Sequence, residues 1–214
     1  MEQRGIAVLD NVSIRAAADS DVAPAAALNA RAFQKEAFAS EMFRLDSASA
    51  RTGFRSVVEL RFSAFYRGGH PVRCAFQDGV MVGTALYKSP YQPVPTVSVA
   101  AEALQRLPHL VRLLPHIRWS KIHHLMRLTK VPHGLAAPYL LLEMLAVAPD
   151  LHGHGIGSAL LRDGIALAKQ AGMTGLYLYT GDRANVDLYS RRGFLTVGVR
   201  ERGTFAVYHM FHPC

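Results

Sequence analysis

Apolar and polar positions follow two rhythms along the chain, and each rhythm predicts a different element. Strand-length runs with apolar continuity or alternation occupy 12–15, 72–77, 80–88, 139–147, 175–180, 195–199 and 205–211. Helical spacing fits 17–32, where Asp19 or Ser20 is the expected N-cap and Pro24 belongs in a first turn. It also fits 52–66, with Phe54, Val57, Val58, Leu60, Phe62 and Phe65 available for burial. Asp78-Gly79 between two of the strands is a two-residue hairpin signal. The segment 99–129 reads as helical pieces broken at Pro108 and Pro115, after Pro90, Pro93 and Pro95 have ended a strand. Two more helices are expected at 155–170 and 185–191.

Composition narrows the class. Half of the 214 residues are hydrophobic and 19% are charged, which suits a globular chain with one sizeable core. No apolar run reaches the roughly 18 residues of a membrane span. The opening MEQRGIAVLD lacks the charged, apolar, small-residue order of a signal peptide. Cys74 and Cys214 are too few and too far apart for a disulfide framework, so a reducing, cytoplasmic setting is expected. The net charge of +8 admits two readings: general solubility with a few groups facing phosphates, or an anionic acceptor or partner. Nothing shows the interleaved aromatics of a nucleic-acid module.

The chemistry concentrates between Leu141 and Phe194. An apolar strand runs into His152-Gly153-His154-Gly155-Ile156-Gly157-Ser158, and that loop opens a helix. Helix starts present unpaired N–H groups and about half a positive charge, and glycines let an anion approach the backbone closely. Ile156, Leu160, Leu161, Gly164, Leu167, Ala168 and Ala171 share one arc of the helix, while Ser158, Arg162, Asp163, Lys169 and Gln170 share the other. One face therefore packs and the N-terminus is left to bind. Pro149 and Asp150 separate the glycines from the strand, which argues against a dinucleotide turn, and no Gly-Lys-Ser/Thr follows to make a phosphate loop of the nucleotide-hydrolase kind. His152-x-His154, His123-His124 and His209-x-x-His212 lack the companions of a metal site, and no metal is expected.

This strand, glycine loop and helix, followed by Asn185-Val186-Asp187-Leu188-Tyr189 before Gly193-Phe194, resembles the acetyl-CoA-binding core of the GNAT N-acetyltransferases. The family's loop is Arg/Gln-x-x-Gly-x-Gly/Ala, and His152 departs from its first position. The resemblance implies an α/β (α+β) fold: a single domain over 1–214 with a mixed, mostly antiparallel, splayed central sheet flanked by helices. It further implies that Leu145, Ala146 and Val147 pair with the pantetheine arm, that the 152–158 loop cradles the pyrophosphate, and that Asn185 caps its helix and lines the cleft. Glu143, a carboxylate inside LLLEMLAV, takes the place of the family's general base, and Tyr189 that of the acid for the departing thiolate. The alternative readings are an edge-facing or salt-bridged strand residue for Glu143 and a half-buried packing residue for Tyr189.

A looser likeness, to puromycin N-acetyltransferase-like enzymes, covers roughly 118–194 and makes 89–138 a helical insertion on the acceptor side. Arg106, Arg112, Arg118, Lys121, Arg127 and Lys130 gather there with five histidines, which suits an acceptor bearing carboxylate or phosphate, or merely a solvated basic face. The expected activity is transfer of acetyl from acetyl-CoA to a primary amine of a small molecule, by a monomer or homodimer that needs neither membrane nor nucleic acid. A non-catalytic acyl-CoA-binding domain and a protein acetyltransferase are the alternatives.

Overall fold

The computed structural model describes residues 11–34, 36–93 and 96–214. Seven strands form one sheet: β1 (Val12–Ala16), β2 (Val72–Gln77), β3 (Val80–Lys88), β4 (Leu140–Val147), β5 (Gly175–Thr180), β6 (Leu195–Arg202) and β7 (Phe205–Pro213). Their spatial order is β1-β2-β3-β4-β5-β7-β6. Every neighbouring pair is antiparallel except β4 and β5, which are parallel and meet only at Leu140 with Leu176 and Leu141 with Tyr177. The sheet is thus mixed, mostly antiparallel and splayed at its centre, as expected. Asp78 and Gly79 turn the β2–β3 hairpin, both with positive φ (51° and 77°), the geometry of the primed turns that match strand twist.

Helices cover both faces. On one lies α7 (Ile156–Gln170), whose Ile156, Leu160, Leu161 and Ala168 pack on Tyr87, Leu140, Leu142, Leu176 and Met210. On the other lie α1 (Asp19–Phe33) and α3 (Ala48–Arg67), with Phe54, Val58 and Phe62 against Cys74, Leu86 and Met144. Leu142 and Met144 are two residues apart, yet they serve opposite faces. The reason is a bulge: Leu86 faces Met144 and Tyr87 faces Leu142, so Glu143 stands opposite no residue and the strand's alternation is reset. The remaining helices are α2 (Ala37–Met42), α4 (Thr96–Gln105), α5 (Leu107–Leu113), α6 (Trp119–Leu128) and α8 (Arg183–Ser190). No helix among the described residues is long and apolar enough to cross a membrane.

Three local expectations are corrected. The N-cap of α1 is Ala18, and the first-turn carboxylate of Asp21 reaches back to the Ala18 N–H at 2.7 Å. Asp21 is itself held by Arg15, whose hydrogen bonds at 2.5 and 3.1 Å keep its carboxyl below the usual range. Pro24 lies past the first turn, inside the helix. Helix α2 has no counterpart among the expected elements, because six residues offer too little periodicity to read.

Close approach of α7 to the sheet depends on Gly164. A Cβ there would overlap the ring of Tyr87, which is fully buried and donates its hydroxyl to the Leu160 carbonyl at 2.8 Å. An exposed helical Gly→Ala change gains about 1 kcal/mol, whereas overpacking costs about 1–3 kcal/mol. Gly164→Ala is therefore expected to lower the melting temperature by several degrees in a calorimetric scan. An unchanged or higher value would show that Tyr87 is free to move.

Candidate active site

The site begins where β4 ends. After a short 3-10 turn at Pro149–Leu151, Gly153 and Gly155 adopt φ of 82° and 85°, conformations that side chains resist, and α7 starts at Ile156. Among the described residues, the N–H groups of Gly153, Gly155, Ile156, Gly157 and Ser158 find no backbone acceptor. A Cβ on Gly153 would meet nothing within 4 Å, so this nest is open to an approaching anion. His152 turns back, its Nε2 lying 3.1 Å from the Val147 carbonyl, which fixes the loop to the strand end. The Nδ1 of His154 is buried without a partner among the described residues. Ser158 Oγ accepts from Arg192 Nε at 2.9 Å, bringing a guanidinium to the helix start. Arg192 was missed in the sequence, although it stands in the Arg191-Arg192 pair just before Gly193-Phe194.

From Glu143 onward β4 has no strand beside it on the β5 side, so the edge along Leu145, Ala146 and Val147 is unpaired by any strand, with only the Val147 carbonyl met by His152. Such an edge offers main-chain donors and acceptors to an extended ligand. The arrangement fits acetyl-CoA in chemistry: an extended amide-bearing arm can pair with the edge, and a pyrophosphate can sit on the N–H nest beyond it.

Tyr189, on α8, belongs to the core that α7 shares with the sheet. It is 8% exposed, its ring packs 5.7 Å from that of Phe194, and its hydroxyl has no hydrogen-bond partner among the described residues. Burial, reinforced by the charges of Glu36 and Asp182, pushes its phenol far above the ordinary range, so it remains protonated and able to donate. Asn185 does not cap α8. Asp182 does, with extended backbone and a side-chain oxygen accepting from Ala184 N at 2.9 Å, while Asn185 sits inside the helix and its Nδ2 lies 3.4 Å from Thr180 Oγ. Only the residue preceding the helix has the backbone direction that capping needs.

Glu143 occupies the bulge, its side chain 6% exposed, and Arg61 of α3 pairs with one carboxylate oxygen. The second oxygen has no partner among the described residues. Tyr179 lies close enough that burial first, and the Glu143 charge second, raise its phenol. Arg61 stands 82 positions from Glu143, a separation no local pattern reveals.

Helices α2 and α6 pack on β5 and β7. Phe38 and Met42 pack with Leu125, Leu128, Tyr179, Phe205 and Val207. His209, fully buried, ties α6 to the sheet: its Nε2 donates to the Leu128 carbonyl at 2.8 Å and its Nδ1 accepts from the Tyr177 hydroxyl at 2.5 Å. Part of the basic charge of this segment is spent internally, since Arg106 reaches Glu102 and Glu59 at 3.5 and 3.8 Å and Lys121 reaches Glu41 at 2.6 Å.

Comparison with known proteins agrees with this geometry. A sequence profile of the acetyltransferase (GNAT) family matches residues 38–194. No curated protein matches the chain in sequence. Among solved structures, the chain is similar to the histone acetyltransferase HPA2 and related acetyltransferase from Corynebacterium glutamicum, at 22% identity and a TM-score of 0.67, over 95% of this chain and 97% of that one. It is similar to the ribosomal-protein-S18-alanine N-acetyltransferase from Escherichia coli at 17% identity and 0.54, over 94% and 93%. A GNAT acetyltransferase from Elizabethkingia anophelis, solved with acetyl-CoA bound, shares 13% identity at 0.53, over 96% and 99%. At such identities the structures establish the fold, and the profile, spanning well over half of the sequence, establishes that the chain belongs to the GNAT acetyltransferase family.

Proposed function

We propose that the protein transfers the acetyl group of acetyl-CoA to a primary amine of a small molecule, by direct attack within a ternary complex. The observation that carries this reading is the free edge of β4 running straight into an unsatisfied N–H nest. In it, the pantetheine arm pairs with the backbone of Leu145, Ala146 and Val147, and the pyrophosphate rests on the loop from His152 to Ser158, with Arg192 beside it. In this reading the thioester lies near the bulge, between Glu143 and Tyr189. Asn185, on the turn-facing end of α8, borders the same cleft.

The chemistry needs three proton movements, two away from the nitrogen and one onto the sulfur. The acceptor arrives as an ammonium and gives a proton to Glu143, through the carboxylate oxygen that Arg61 leaves free or through a water on it. The freed lone pair attacks the thioester carbonyl, an N–C bond forms, the nitrogen sheds its second proton to water, and the C–S bond breaks. As that bond breaks, the Tyr189 hydroxyl, kept protonated by burial, hydrogen-bonds the departing sulfur and passes its proton to it. Solvent then reprotonates the tyrosinate.

Two outcomes follow. Tyr189→Phe removes the acid and keeps the ring, so kcat is expected to fall by about 10²–10⁴ while acetyl-CoA affinity stays within a few-fold. Thiol release and calorimetric titration read these separately. A wild type that binds acetyl-CoA, yet leaves the variant no rate to lose on any amine, would make the protein an acyl-CoA-binding domain instead. Gly155→Val forces a branched side chain to φ near 85°, at about 1–3 kcal/mol of strain. Acetyl-CoA binding is expected to weaken at least about tenfold, with NADH and ATP giving no saturable heat in either form. Equal affinity in the variant would remove the loop from the site.

A further inference from the structure

Helices α4, α5 and α6 carry charge and apolar surface that acetyl transfer does not use. From Ala103 to Leu142 the chain contains no Asp or Glu, so its cations there depend on carboxylates from elsewhere. Arg106 and Lys121 find them, on Glu102, Glu59 and Glu41. Arg112, Arg127 and Lys130 are exposed and have no carboxylate partner among the described residues.

Apolar side chains stand out in the water among these cations. Leu104, Leu107, Val111 and Leu114 are 45–70% exposed. They recur every three or four residues, the spacing of one helical stripe. Hydrogen bonds from Arg106 N to the Glu102 carbonyl and from Leu110 N to the Arg106 carbonyl keep the path helical where α4 meets α5. On α6, Trp119 and Met126 are 61% and 65% exposed.

The two groups look out on the same side of the sheet. Helix α4 is held on α3 by Glu102, which Arg67 meets at 2.6 Å, and α5 by Leu113, which lies against Gly53. Helix α3 itself covers the face opposite α7. Tyr179 and Val207 turn toward Leu125 and Leu128 of α6, whereas Leu178 and Met210 on the same strands turn toward α7. So α6 also lies opposite α7. The inward faces of these helices are filled, and the exposed stripe is not needed to hold them.

Interleaving identifies the kind of partner. Protein interfaces gather apolar groups at a centre, push charge to the rim and deplete lysine. Here cationic and apolar side chains alternate along the same short helices. That suits an anionic bilayer surface, where Leu, Met and Trp enter below the headgroups and long cationic side chains reach back to the phosphates. We propose that the outer face of α4, α5 and α6 docks the protein on membranes bearing anionic lipid. Sequence gave no membrane partner to expect, and this contact needs no spanning helix.

The test uses the full chain with vesicles of phosphatidylcholine and phosphatidylserine, against vesicles of phosphatidylcholine alone. Co-sedimentation measures binding, and Trp119, the only tryptophan in the chain, reports the surface by its emission. Anionic vesicles are expected to bind at least about ten times more tightly than neutral ones, less so in high salt. Emission should move to shorter wavelength and be quenched by lipids brominated in the acyl chain. Leu107→Glu with Val111→Glu, both at exposed positions, is expected to weaken binding at least about tenfold with the melting temperature near wild type. Arg127→Glu with Lys130→Glu should remove the preference for anionic vesicles. Absent co-sedimentation, unshifted emission on bound vesicles, or unchanged binding in either double variant would each overturn the proposal. Binding of polyglutamate in place of anionic vesicles would also overturn it and assign the surface to an acidic polypeptide. None of these readouts requires acetyl-CoA, so failure here leaves the acetyl-transfer reading untouched.

Discussion

The parting of β4 from β5 after two paired residues is the constraint on which the rest depends. A central strand normally satisfies its N–H and C=O groups on both sides, and leaving one side open inside a protein is costly unless water or a ligand completes it. Here the strand is open along Glu143–Val147, and helices supply what the missing partner would have supplied in packing. Helix α7 closes one face through the Gly164–Tyr87 contact. Helices α1 and α3 close the other. Only the edge itself stays accessible, and it points toward a glycine-rich helix start whose N–H groups are also unsatisfied. Two deficits of the same kind in one line make a binding track.

The bulge at Glu143 is where the proposed chemistry centres. By absorbing one residue it sets Leu142 into the α7 core and Met144 into the α1/α3 core, and it places a carboxylate between two apolar layers. A carboxylate there requires compensation, and Arg61 provides it on one oxygen only. Tyr189, buried on α8, has a hydroxyl with no hydrogen-bond partner among the described residues. Both groups belong to a chain whose net charge is +8. Overall charge describes the surface and long-range attraction, while acceptor choice is governed by the few groups that face the reacting atoms.

What could be read from sequence was local. Asp78-Gly79 declared its turn because two positive φ values demand such residues, and the strand from Leu140 to Val147 with its glycine loop showed because backbone binding leaves a compositional mark. The splay was legible only through family resemblance, since an absent strand pairing leaves no trace in side chains. Asp182 rather than Asn185 capping α8 turned on where the helix begins, a boundary uncertain by a residue or two from pattern alone. Arg61 opposite Glu143 and Arg192 on Ser158 were not legible. Each is created by packing between segments 34 and 82 positions apart, and a lone Glu or Arg on a helix looks in sequence like any solvated charge.

Amide hydrogen exchange with and without acetyl-CoA tests the binding track most directly, because it reads the backbone groups themselves. Saturating acetyl-CoA should slow exchange across residues 143–147 and 153–158, leaving the β2–β3 hairpin unchanged. Unaltered exchange in both segments while acetyl-CoA is demonstrably bound would contradict the account, and would place the cosubstrate elsewhere on the molecule.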